Sequence, residues 1–212
     1  SPDGIERAAH LGLADQNIPR LVIDTSRVYE ALQLLTEQHK GRLFVLLRDP
    51  VERAISKFYY TKIATWERNY KPEVEQMTML EYADTVYCYN NWVTRRLVNK
   101  MSYAEELTEQ DLFNAKLILE KKALVLFTDS MLESAGRLAA YFGWAELLNA
   151  DNWNCIHKFA IEQPINTNPH PLPAKDSPEY KAIEQRNLYD VELYAFAKKL
   201  YQLQGQYIDI PL

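Results

Sequence analysis

The stretch RLFVLLRDPVERAISKFYY, Arg42 to Tyr60, contains a strand, a sharp turn and a helix in immediate succession. Arg42–Leu47 is a continuous apolar run bounded by Gly41 and by Asp49-Pro50, the pattern of a buried parallel strand. The helix that follows is signed at its start. Asp49 is placed at the N-cap and Pro50 at the first helical position, while Glu52 three residues on predicts a capping box. Val51, Ala54, Ile55 and Phe58 recur at i, i+3, i+4 and i+7, which predicts a face packed on the sheet.

That arrangement has a chemical use. Arg48 falls just past the carboxyl end of the strand, where open α/β sheets bind their ligands. A helix beginning there adds free N–H groups and the positive end of its dipole, which favour an anion. Ser56 lies two turns in, roughly 9 Å from the helix start at 1.5 Å per residue. Arg48 and Ser56 together make a fork-plus-hydroxyl clamp for a phosphate group, a task for which arginine is better shaped than lysine. On spacing alone, a strand–helix junction with a solvated basic face explains the same residues equally well.

Working outward, charge singles out this region. The 212-residue chain carries a net charge of −5, with 47% hydrophobic and 25% charged residues, and it fits one domain of ordinary soluble composition. An acidic balance argues against a nucleic-acid partner. Yet Lys40, Arg42, Arg48, Arg53, Lys57, Lys62, Arg68 and Lys71 are opposed over the same span only by Asp49, Glu52 and Glu67. One basic region in an acidic chain suits a compact anionic ligand. Cys88 and Cys155 make no metal spacing, and a bridge between them is left open. His10, His39, His157 and His170 are scattered, so no metal is expected. No apolar run is long enough to span a membrane.

Further elements follow from periodicity and capping. A short helix is expected over 4–13, a strand over Arg20–Asp24, and a helix capped by Thr25 or Ser26 with Val28, Ala31, Leu32 and Leu35 inward. Thr78 with Glu81 predicts a capping box, and Asn90–Lys100 reads as helix. Thr108 caps an amphipathic helix with Leu112, Ala115, Leu117 and Leu119 inward, leading into the second buried strand, Ala123–Phe127. Ser130 and Glu133 open a helix ended by Gly143. Residues 145–177 are rich in proline and asparagine and read as a loop-rich insertion. The tail from Pro178 to Gln204 reads as helix, with Val191, Leu193, Tyr194, Ala197, Leu200 and Tyr201 as its inner stripe. Strands alternating with helices give an α/β domain with a parallel sheet.

The segment R-D-P-V-E-R-A-x-S-x-x-Y-Y resembles the 3′-phosphate-binding segment of sulfotransferases, matching at Arg48, Pro50, Arg53 and Ser56. In that family the Arg and the Ser hold the 3′-phosphate of the sulfuryl donor 3′-phosphoadenosine 5′-phosphosulfate (PAPS). Asn90 to Leu97 looks like the N-N-x-x-T-R-x-L helix of heparan sulfate 6-O-sulfotransferase-like proteins, a Golgi carbohydrate branch. Leu124–Phe142, ending in Tyr-Phe-Gly-Trp, and Asn187–Tyr201 are similar to the same group, so the likeness covers most of residues 42–204. The opening Gly4-Ile5-Glu6-Arg7-Ala8 and the N-N-W-x-x-R stretch look like uncharacterised sulfotransferase-like proteins of diatoms and other algae.

The resemblance implies a P-loop NTPase-like parallel sheet flanked by helices, with residues 1–212 forming the C-terminal portion of one sulfotransferase domain. It implies transfer of a sulfuryl group from PAPS to a hydroxyl, on a carbohydrate acceptor, without a metal. It also implies a Golgi lumen location with a membrane anchor upstream. Arg48 and Ser56 would bind the donor, with Arg53 secondary or structural; Arg95, Arg96 and Trp92 are candidates for substrate contact. The family's 5′-phosphosulfate loop has no counterpart, since Gly4, Gly12, Gly41, Gly136, Gly143 and Gly205 are isolated and no G-x-x-x-x-G-K-S/T occurs. That loop is expected before Ser1. The general base is open among Glu6, His10, Asp24, Glu30, Glu37 and His39. Any of Trp66, Trp92, Trp144 and Trp153 offers a face for a sugar. Two rivals use the same residues: a P-loop kinase-like phosphotransferase, and a non-catalytic module of the same fold that holds a sulfated or phosphorylated partner.

Overall fold

A computed structural model describes residues 2–13, 27–38, 41–67, 70–144, 149–162 and 169–208. In chain order these form α1 (Pro2–His10), α2 (Val28–Leu32), β1 (Leu43–Leu47), α3 (Pro50–Ile63), α4 (Pro72–Glu75), α5 (Met79–Ala83), α6 (Trp92–Val98) and α7 (Glu109–Lys122). There follow β2 (Ala123–Phe127), a 3₁₀ turn at Thr128–Ser130, α8 (Met131–Phe142), α9 (Ala150–His157), α10 (Pro178–Arg186) and α11 (Leu188–Gly205). The described chain is mostly helical around a small parallel sheet, an α/β arrangement in the broad sense. The expected strand over Arg20–Asp24 and its helix caps Thr25 and Ser26 lie outside the described residues.

Both apolar runs are strands, and they pair in parallel with Leu43 opposite Ala123 and Leu47 opposite Phe127. All of β2 is buried, because α7, α8 and α11 pack around it. Its ladder is reinforced by Gln204 of α11, whose side-chain oxygen accepts from Val125 N–H and whose amide donates to the Ala123 carbonyl. β1 is less enclosed. Leu46 is 46% exposed, and only Leu47 is buried.

The core is divided in two. One half gathers Leu47 and β2 with Leu97 of α6, Leu112, Ala115 and Leu119 of α7, and Leu193, Tyr194, Ala197, Leu200 and Tyr201 of α11. The other holds Val51, Ala54, Ile55 and Phe58 of α3 with Val74, Met79, Tyr82, Cys88, Tyr180 and Ile183. The apolar stripe of α3 is therefore real, but its packing partners are helices, α4, α5, α10 and α11, and its core cluster takes in no strand residue. A 3.6-residue period reports that a face is buried and carries no information about what covers it.

Several expectations need correction. Asp49 caps α3, its Oδ1 accepting from Val51 N–H at 3.0 Å and Glu52 N–H at 3.1 Å, but Glu52 does not complete a capping box; its carboxylate lies 4.0 Å from Arg48. The boxes at Thr78/Glu81 and Thr108/Asp111 both form. Leu117 is exposed on α7, and in α2 it is Leu34, just beyond the helix, that is buried, while Leu32 and Leu35 are exposed. The loop-rich insertion contains α9, capped by Asn149, which accepts from Asn152 N–H. The tail is two helices, broken at Asn187. Cys88 is buried and Cys155 exposed, both as free thiols. Among the described residues no helix is long and apolar enough to cross a membrane.

Candidate functional site

Both strands deliver their carboxyl ends to one edge of the sheet, so Arg48 leaves β1 beside Thr128 leaving β2. The Arg48 side chain is 39% exposed and its ion pair with Glu52 is long, at 4.0 Å. A guanidinium held this loosely can turn to a ligand at little cost. It borders a narrow cleft of about 10 Å³ lined also by Leu47, Pro50, Val93, Asp190 and Tyr194. Beyond Pro50 and Tyr194 opens a larger cavity of about 260 Å³, into which Asp49, Lys175, Tyr180 and Glu184 also face. Tyr194 lines both cavities, as Pro50 does, and its hydroxyl donates to Asp129 Oδ2 at 3.0 Å. Burial, then that hydrogen bond and the charges of Asp129, Asp49 and Glu52, push the Tyr194 phenol well above its usual range, so it stays protonated. Ser56 is half-buried on α3 and borders neither cavity.

The anion-binding capacity expected of the α3 N-terminus is largely taken by the protein itself. Asp49 already accepts the Val51 and Glu52 N–H groups, and its charge fills the positive end of the dipole. An anion brought to Arg48 would thus meet side chains and not these N–H groups.

Behind Arg48 the site is buttressed by helices α6 and α11, which cap one another. Asp190 of α11 accepts from Val93 N–H at 3.0 Å, Thr94 N–H at 2.8 Å and the Thr94 hydroxyl at 2.8 Å, all at the start of α6. In return the Asn91 side chain accepts from Asp190 N–H at 3.1 Å, while Asn187 accepts from Asn91 N–H at 3.0 Å. Asn91 adopts left-handed backbone angles (φ 46°), which asparagine tolerates better than most residues, and this lets its own side chain reach across. Asp190, Asn187 and Thr94 are all enclosed. Two helix starts with unpaired N–H groups thereby satisfy each other inside the protein.

Arg53 extends from α3 to this junction. Its Nη2 lies 4.0 Å from Asp190 Oδ2, and its guanidinium sits 5.4 Å from the centre of the Trp92 ring. Arg96 lies 5.3 Å from the same ring. Arg95 behaves otherwise. It is 4% exposed, and it donates from Nε to the Asn90 side chain at 2.7 Å and from Nη1 to the Ser102 carbonyl at 2.8 Å, with Tyr103 beneath it. Neither a ligand contact nor a solvated face describes it: Arg95 ties α6 to the loop that follows.

Of the tryptophans, Trp92 is covered by guanidinium groups, Trp144 stacks on Phe142, Trp153 is half-buried, and Trp66 is 69% exposed at the end of α3. Among the candidates for a base, Glu6 and His10 lie on the open face of α1, 3.9 Å apart, and Glu30 accepts a hydrogen bond from Arg27 at 3.0 Å. Asp24 and His39 lie outside the described residues. Among the described residues no group of His, Cys, Asp and Glu side chains is arranged to hold a metal ion.

The residues that shape this region and escaped the sequence reading are Asp190, Asn187, Lys175 and Tyr194 as a cavity wall. Asn187 is the N-cap residue of α11 but makes no side-chain cap to its own helix, so no local pattern marked it or Asp190. Their partners on α6 lie some hundred positions away in the chain. Comparison with family models, curated proteins and solved structures gives no match.

Proposed function

We propose that the chain is the C-terminal portion of a PAPS-dependent sulfotransferase domain that transfers a sulfuryl group to a hydroxyl of a carbohydrate. The observation that carries the reading is the position of Arg48, loosely paired, beside a cleft at the carboxyl end of a parallel strand and directly ahead of a helix bearing Ser56. The similarity of Arg48–Tyr60 and Asn90–Leu97 to the family's segments supports the same reading. Arg48 and Ser56 hold the 3′-phosphate of the donor. Arg53 serves indirectly, through Trp92 and Asp190. On this reading the fold is P-loop NTPase-like, the 5′-phosphosulfate loop is supplied from upstream, and the parent protein works in the Golgi lumen on a membrane anchor. Among the described residues β1 pairs with β2 alone, which is in keeping with a sheet that has further strands.

The donor reading has a specific chemical signature, dependence on the 3′-phosphate. Adenosine 3′,5′-bisphosphate (PAP) and adenosine 5′-monophosphate differ only there. In the full parent chain PAP binds more tightly, and Arg48→Ala narrows the gap by roughly 1.5–3 kcal/mol, the range for a charge-assisted hydrogen bond. Equal affinities in the unmutated protein would remove the basis for the reading.

A further inference from the structure

Arg53, Trp92 and Arg96 form a unit whose hydrogen-bonding capacity donor binding at Arg48 does not use. Two guanidinium groups lie against one indole, at 5.4 Å and 5.3 Å from its centre. Three of their nitrogens, Nε and Nη2 of Arg53 and Nη1 of Arg96, are out of contact with solvent and have no hydrogen-bond acceptor among the described residues. Leaving a buried donor unpaired is costly, and more so for a charged one. The adjacent arginine is a control within the same helix: Arg95 has acceptors for both Nε and Nη1.

Among the described residues the surrounding carboxylates do not meet the need. Asp190, 4.0 Å from Arg53 Nη2, already accepts three hydrogen bonds from the start of α6. Glu30, which feels the charge of Arg96, is bonded to Arg27. Tyr103 lies within the electrostatic reach of Arg53, Arg95 and Arg96 together, so the region is dense in positive charge. Indole faces hold guanidinium groups flat and fix the direction of their N–H bonds.

We infer that Arg53 and Arg96, aligned on Trp92, form a second oxyanion site, one that takes a sulfate, phosphate or carboxylate group. The site differs from the donor site at Arg48 and Ser56 and stands whether or not the donor reading holds. In a protein acting on acidic carbohydrate it would receive an anionic substituent of the chain. Oxyanions of this class supply several acceptor lone pairs to forked N–H donors, the pairing that the three nitrogens lack.

The test is calorimetric titration of inorganic sulfate into the full chain, alone and with PAP present in excess. Sulfate is expected to bind in both conditions, and Arg96→Gln to weaken it about tenfold while leaving PAP affinity unchanged. Arg96→Lys, which keeps the charge and loses the fork, is expected to fall between. Circular dichroism of each variant checks that the fold persists, and Trp92→Phe offers a second route should Arg96→Gln not fold. Sulfate binding abolished by PAP would place the anion at the donor site and overturn the inference, as would absence of sulfate binding to the folded protein. Failure of PAP to bind while sulfate binds through Arg96 would refute the donor reading alone.

Discussion

Oδ1 of Asp190 accepts two hydrogen bonds from Thr94, one from its backbone N–H and one from its hydroxyl, both at 2.8 Å. The pair joins residues ninety-six positions apart and fixes α6 against α11 behind Arg48. Because the carboxylate is 2% exposed, nothing in solvent can replace it. Asp190→Ala leaves the Val93 N–H and both Thr94 donors unpaired in the interior. The expected loss is on the order of 3–5 kcal/mol of stability, read as a lowered urea midpoint. Asp190→Asn, which retains one acceptor oxygen, should lose less. A midpoint unmoved by Asp190→Ala would show that the mutual capping contributes nothing.

Arg95 is a basic residue of this region whose guanidinium is committed to protein acceptors. Its loss strips hydrogen bonds from the Asn90 side chain and the Ser102 carbonyl. Arg95→Ala is therefore expected to cost about 2–4 kcal/mol of stability and to leave PAP affinity, measured on the folded fraction, unchanged. Undiminished stability with lost affinity would reverse that assignment.

Asp49 stands between two demands. As the cap of α3 it satisfies two N–H groups, and as a charge beside Arg48 it opposes an incoming anion. Asp49→Ala should lower stability by about 1 kcal/mol, the usual worth of an N-cap, yet strengthen PAP binding. Paired denaturation and titration measurements separate the two effects. Weaker PAP binding by the folded variant would contradict a donor phosphate at this helix start.

Burial pushes the Cys88 thiol up to about 11, against a usual value of 9.0. Its native state therefore holds the proton more tightly than the unfolded chain does. The associated stability is complete below pH 9.0 and is lost as pH rises through about 11. A thiol reagent at pH 8 should modify Cys155 at once and Cys88 only after denaturation. Immediate labelling of both would contradict the enclosure of Cys88.

How far the structure was legible in the sequence varies with the range of the interaction. Leu43–Leu47 and Ala123–Phe127 were plain as strands, because continuous apolar runs with sharp ends have few other uses. Thr78, Thr108 and Gly143 marked helix ends by local hydrogen-bond chemistry that operates within four residues. The covering of α3 was not legible, since Val51 and Phe58 would be apolar against either a sheet or another helix. Nor was the fate of Arg95: an arginine beside Arg96 on a short helix looks like surface until Asn90 and Ser102 fold around it. Glu52 met the pattern of a capping box, and Asp49 made its half by accepting from Glu52 N–H, but the Glu52 carboxylate turns to Arg48 and not back to the Asp49 N–H. The break at Asn187 depends on Asn91, far along the chain, accepting what α11 offers.

The central claim is that Arg48 and Ser56 hold the 3′-phosphate of a sulfuryl donor. Titration of PAP into the full-length protein, with Arg48→Ala and Ser56→Ala alongside, tests it most directly. The expected result is micromolar binding that weakens by roughly 1.5–3 kcal/mol on loss of Arg48 and by about 1 kcal/mol on loss of the Ser56 hydroxyl. A folded full-length protein that fails to bind PAP, or binds it equally well in both variants, would contradict the account.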